Sequence, residues 1–180
     1  MKRTIINPLF KDTITFLETT VETGGSYSLH KLTLMPGGKN LPHVHTSFEE
    51  TFTAINGVLG IHTSEGDIFL KPRESYTVSK NEVHHFFNPG DNEISFLVRF
   101  SPGHEGMENA LRILYGMASD GLTDKKGVPK NLYATAILME MSNSYPTGLL
   151  SLMKNLLRHI AKKGRKKGIE KELMNKYCRN

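Results

Sequence analysis

Three histidines and one glutamate fall at spacings that suit a metal ion. His43 and His45 are separated only by Val44. In an extended strand residues i and i+2 project to the same face, so both imidazoles point one way and can bind one cation. Four residues separate His45 from Glu50, room for a bend and a return into the next strand. There Glu50, Phe52 and Ala54 share a face, and Glu49 is one residue out of phase. Farther along stand the adjacent His84 and His85. Neighbours on a strand face opposite ways, so one of this pair joins the set. Three imidazoles and a carboxylate form a borderline ligand set for Fe, Mn, Ni, Co, Cu or Zn. Such a set leaves open positions on the ion for water, oxygen or a bidentate small molecule. Glu50 is also the candidate catalytic residue, as a general base released from the ion, a role that requires a raised pKa.

The elements that must position these groups are short strands. Alternation and β-branched or aromatic residues mark Thr13–Leu17, Tyr27–Met35, Glu50–Ile55, Val58–Thr63, Asp67–Leu70, Ser75–Val78, Val83–Phe87 and Ile94–Phe100. Turn signals separate them, among them Pro36-Gly37-Gly38, Asn56-Gly57 and Asn88-Pro89-Gly90-Asp91. The Asn56-Gly57 pair between two strands is a hairpin signal. Many short strands at even spacing predict a sandwich or a jelly-roll barrel.

After Ser101-Pro102-Gly103 the period changes. Met107, Leu111, Leu114, Tyr115 and Ala118 lie at helical spacing within 105–119, and a second helix is predicted from about Leu132 to Ser142. Pro146 is placed to open a third, whose stripe is Leu149, Leu152, Met153, Leu156, Leu157 and Ile160. Gly164 should interrupt it, and a weaker helix follows from about Lys167 to Tyr177. The chain therefore divides into an all-β unit, 1–103, and a helical extension, 104–180, packed on the barrel or on a partner.

The segment from Gly37 to Gly57 resembles the first motif of the cupin superfamily. Gly37, His43, His45, Glu50 and Gly57 match that motif at every spacing, and the gap to Gly57 selects Glu50 as the motif's glutamate. His84 and Asn88 match the end of the second motif, which selects His84 over His85. Asn81, Ser79 and Arg73 depart from it, standing where the motif has Gly, Pro and Gly; Asn81 tolerates the left-handed conformation that a tight turn needs. The resemblance covers roughly residues 25–100 and implies a double-stranded β-helix, a jelly-roll barrel, with one divalent transition metal on His43, His45, Glu50 and His84. It also implies a small-molecule ligand in the barrel, with dioxygenase-type chemistry leading. Non-catalytic ligand binding or sensing, and metal-assisted isomerase, epimerase or lyase chemistry, are the alternatives. A homodimer is implied on the same ground.

Cys178 is the only cysteine, so a metal must be held without thiolates and no intrachain disulfide forms, as in a reducing compartment. With no apolar run long enough for a leader or a membrane span, the expectation is a cytoplasmic protein. The net charge of +5 is uneven. From Lys154 to Asn180 ten Lys and Arg face Glu170 and Glu172, +8, which leaves −3 for residues 1–153. The basic tail beside an apolar stripe suits packing first, weak contact with an anionic membrane surface second. Nucleic acid is disfavoured, because no aromatics interleave the basic residues. Phe52, Phe86, Phe96 and Phe100 either line a substrate cavity or fill the barrel, with filling the favoured reading. His30, His85, His104 and His159 are read as surface or hydrogen-bonded structural residues, and His62 as the one extra histidine that could reach the pocket. Arg99 and Tyr76 are possible polar pocket groups; Arg99 alternates with Val98, and the sequence leaves open which of the two points inward.

Overall fold

The computed structural model describes residues 2–147 and 154–179. In chain order the strands are β1 (Thr4–Asn7), β2 (Asp12–Glu18), β3 (Ser28–Leu34), β4 (His43–His45), β5 (Glu49–Asn56), β6 (Leu59–Thr63), β7 (Gly66–Leu70), β8 (Ser75–Val78), β9 (His84–Phe87) and β10 (Ile94–Ser101). The helices α1 (Glu105–Ser119) and α2 (Leu132–Ser142), the strand β11 (Ser144–Pro146), and the helices α3 (Lys154–Lys166) and α4 (Ile169–Tyr177) follow. The strands form two antiparallel sheets, of order β1-β2-β3-β10-β5-β8 and β11-β4-β9-β6-β7. The two sheets are separate ladders, so the expected closed barrel is a two-sheet sandwich among the described residues.

Alternation turns one side of β2, β3, β5, β9 and β10 inward. On β10 Ile94, Phe96, Val98 and Phe100 are buried, and Arg99 faces out, stacked over the Tyr27 ring. Phe52 and Phe96 are fully buried, as expected of residues that fill a sandwich core. Gly57 supplies the positive φ of 76° at the hairpin, where a Cβ would also strike Ile94. Arg73 and Asn81 stand at φ of 77° and 68°. These non-glycine residues thus keep the left-handed turns where the motif has glycines.

Both ends of α2 are capped. Asn131 Oδ1 accepts from the Tyr133 and Ala134 amides, and Asn143 closes the helix in the left-handed conformation. The chain then forms β11, which pairs with β4, Ser144 opposite His45 and Pro146 opposite His43. Pro146 therefore ends an edge strand and does not open a helix. Gly164 does not break α3: it is buried where α3 crosses α2, and a Cβ there would lie 2.9 Å from Tyr133 and Ile137 atoms. Leu157 and Ile160 pack on the small core of Ala136 and Ile137, and so on α2 and not on the sheets. Leu156 is exposed. Leu149, Leu152 and Met153 lie outside the described residues. Among those described, no helix is long and apolar enough to cross a membrane.

Candidate metal centre and cavity

His43 and His45 leave β4 on one face, Glu50 enters at the start of β5, and His84 opens β9 opposite His43. The four side chains converge, their ligand atoms all within 4.8 Å of one another. His45, Glu50 and His84 are buried and His43 is half-buried. His85, next in the chain, points to the outer face, where its ring lies 4.9 Å from that of His62. His62 in turn pairs with Asp67 at 2.5 Å and is half exposed, on the outside of the sheet. Glu49 is exposed.

Backbone carbonyls fix the protonation of each ring. His43 Nδ1 donates to the Leu41 carbonyl at 2.7 Å, His84 Nδ1 to that of Glu82 at 3.0 Å, and His45 Nδ1 to that of Asn143 at 3.2 Å. A carbonyl only accepts, so each Nδ1 carries a proton and each Nε2 presents its other edge to the site. His43 Nε2 and His45 Nε2 then stand 3.0 Å apart. His84 Nε2 is 2.8 Å, and His45 Nε2 3.4 Å, from the same oxygen of Glu50, Oε2. Lone pairs at such separations repel unless a positive charge lies among them. Ligands about 2.1 Å from an ion stand about 3–3.4 Å apart at octahedral or tetrahedral angles, so the four residues fit a transition ion.

The electrostatics agree with this reading. Without an ion, a proton on Nε2 of His45 or His84 takes its place: burial alone would raise the Glu50 pKa, but hydrogen bonds from these protonated rings outweigh it and hold the carboxylate well below its usual range. Burial, with the neighbouring His45 and His84, pushes His43 down to about 3, so its lone pair stays available. His84 is raised, since the Glu50 carboxylate overcomes its burial. The general-base role expected of Glu50 needs the opposite shift. In this geometry it is a ligand-type oxygen.

A family model described as "Cupin domain" matches residues 30–100, which include all four residues. Over that segment the chain carries a cupin domain. Its fold resembles that of a cupin-superfamily sugar phosphate isomerase from Silicibacter pomeroyi, with 22% identity over 52% of this chain and 60% of that one and a TM-score of 0.47. A predicted oxalate decarboxylase from Thermotoga maritima gives 18%, 51%, 80% and 0.48 for the same measures. A polyketide cyclase from Streptomyces resistomycificus gives 22%, 51%, 65% and 0.46. The chain thus spans less than two thirds of the isomerase and of the cyclase. No curated protein sequence matches it.

Around this cupin core the helical extension supplies groups that the motif does not contain. Asn143, at φ 52°, gives its carbonyl to His45. Its Oδ1 accepts from the Thr46 amide at 2.6 Å, the Thr46 hydroxyl at 2.9 Å and the Ser47 amide at 3.0 Å, which pins the loop between β4 and β5. A helix-ending Asn was the available signal, but its partner lies about a hundred residues earlier. A cavity of about 260 Å³ adjoins the ligand cluster. His43, Glu50 and Phe100 bound it on the sandwich side, and Met107, Leu111 and Leu138 on the helical side.

All four phenylalanines belong to the core, as the favoured reading has it, and Phe86 and Phe100 also line the cavity. Tyr76 bonds to Glu82 away from the cavity. His30 is not a surface residue. It is buried on the cavity wall with Nε2 unpartnered, and burial, then Arg112, lowers its pKa to about 3. His104 caps α1, its Nδ1 accepting from the Met107 amide at 2.9 Å.

Proposed function

We propose that this cupin binds one divalent transition metal on His43, His45, Glu50 and His84 and holds a small organic molecule in the adjoining cavity, with dioxygenase-type chemistry. The observation that carries the reading is the set of three Nδ1-anchored imidazoles and one low-pKa carboxylate facing one point beside the cavity. A bound ion would supply open coordination positions and Lewis acidity. The residues of the chain orient it. The carbonyls of Leu41, Glu82 and Asn143 lock the ring tautomers and turn each Nε2 toward the site that Glu50 shares. The apolar walls exclude water from the ligand's body.

Ligand binding without catalysis is the second reading. It is favoured by the low pKa of Glu50, which withdraws this carboxylate as a general base. Elemental analysis of protein purified without chelator, followed by oxygen uptake with the metal restored, separates these possibilities. Near-stoichiometric iron with uptake on a β-diketone or catechol panel is expected. Metal-free protein that takes up none of these ions on titration overturns the metal reading. Silence of the iron-loaded protein across the panel overturns the oxygenase reading and leaves ligand binding.

A further inference from the structure

The cavity has a second polar end that the metal cluster does not explain. Asp12 opens β2 and lines the cavity wall. It is 5% exposed. The Tyr115 hydroxyl, from α1, donates to its Oδ2. Its Oδ1 is buried with no hydrogen-bond partner among the described residues. Buried carboxylate oxygens are ordinarily satisfied, and an unsatisfied one destabilises the fold by the lost solvation.

The sheet register separates this end from the metal end. Glu50 lies in the row of Phe100 and Ser28, whereas Asp12 lies in the row of Leu34, at the other end of β3. Along α1 the cavity wall runs from Met107 to Tyr115, eight residues or about 12 Å of helix. Between the two ends the wall is mostly apolar, with Ile14, Leu32, Ala110, Leu111 and Leu114 among its residues.

Charge narrows the occupant further. No Lys or Arg is among the described residues that line the cavity. Arg112 on α1 is buried, but it stacks on Phe16 and donates to the Lys2 carbonyl. A divalent ion less the charge of Glu50 leaves one positive charge, enough for one anionic oxygen and too little for a phosphate ester or a dicarboxylate.

We infer that the cavity takes an elongated, largely apolar molecule with chelating oxygens at the metal end and a hydroxyl or N–H donor at the Asp12–Tyr115 end. This rests on the proposed metal reading for its first end only. Burial pushes Asp12 up to about 6 against the hydrogen bond from Tyr115, so near neutral pH the carboxyl is mainly ionised and accepts a donor.

Calorimetric titration of the metal-loaded protein tests it with a matched pair, 4-phenylcatechol and 4-(4-hydroxyphenyl)catechol, and with glucose 6-phosphate and oxalate. The hydroxylated catechol should bind about tenfold tighter than its parent, the size expected for a hydrogen bond to a charged acceptor. Asp12→Leu should remove that gap while elemental analysis shows the same metal content. Equal affinity of the two catechols for the wild-type protein overturns the Asp12 assignment, with no variant needed. Glucose 6-phosphate or oxalate binding as tightly as either catechol overturns the ligand class. If the protein proves to hold no metal, the proposed function fails separately. The second end is then tested on the metal-free protein with 4-phenylphenol, which does not chelate. No binding of that probe overturns the inference.

Discussion

The β-sandwich and the helical extension contribute to the site in different ways. The sandwich places side chains: His43, His45, Glu50 and His84 point inward because strand alternation puts them there. The extension contributes one backbone carbonyl, one side-chain amide oxygen, an extra strand and much of the cavity wall. The first kind of contribution is written in residue types at fixed spacing. The second depends on where a later part of the chain folds back. A motif therefore marks the four side chains that converge, whereas their support and the shape of the cavity come from elsewhere.

The sharpest way to break this contrast lies at the paired histidines. His84→Ala should abolish metal occupancy, a larger effect than the roughly 10–100-fold loss typical of an outer partner, and His85→Ala should leave it intact. Elemental analysis of both variants decides it. Stripped His85→Ala and loaded His84→Ala would mean that β9 sits one residue out of register.

Asp12 offers the next test, because it is held by both regions. Its carboxyl is raised from 3.8 to about 6, burial outweighing the Tyr115 hydrogen bond. An acid whose folded pKa is raised favours its neutral form in the fold. The penalty is therefore absent below the unfolded pKa and grows as pH rises, reaching about 3 kcal/mol once the folded group is ionised. Asp12→Asn should be more stable than wild type, by a margin that widens from pH 4 to pH 7.5 in urea unfolding of metal-free protein. A margin independent of pH would show that Asp12 does not titrate in this way.

The smallest effect addresses the extension directly. Asn143→Gly keeps the left-handed turn and the carbonyl to His45 but loses three hydrogen bonds to the β4–β5 loop. Metal affinity measured against a competing chelator should fall by about tenfold. A lower melting temperature with unchanged affinity would reduce Asn143 to a helix cap.

Much of the ligand set was legible because period-two spacing translates directly into a shared face. Strand phase chose Glu50 over Glu49, and the gap to Gly57 made the same choice. Between His84 and His85 strand phase was silent, and only the motif resemblance chose. The helix from Leu132 to Ser142 was visible between the break that ends at Pro129 and Pro146. The strands β1 and β11 were not visible: Thr4–Asn7 and Ser144–Pro146 are too short to show alternation, and each has a proline at or beside its end. Gly164 read as a breaker, since glycine is a poor helix former. Its buried position shows the other reason for a glycine in a helix, the close approach of a neighbour. Asn143 and the carbonyls of Leu41 and Glu82 left no trace in the spacing because any residue has a carbonyl.

The pairing of β11 with β4 has a consequence for synthesis. The strand that carries His43 and His45 gains its outer neighbour only when Ser144–Pro146 arrives, about a hundred residues after β4 itself. At roughly 5–20 residues per second the ribosome leaves that edge uncovered for about 5–20 s. A nascent chain thus holds its histidines early and acquires the carbonyl that orients His45 late. Exposed edges of this kind invite pairing with other chains, so the β4 edge is open to such pairing until β11 docks.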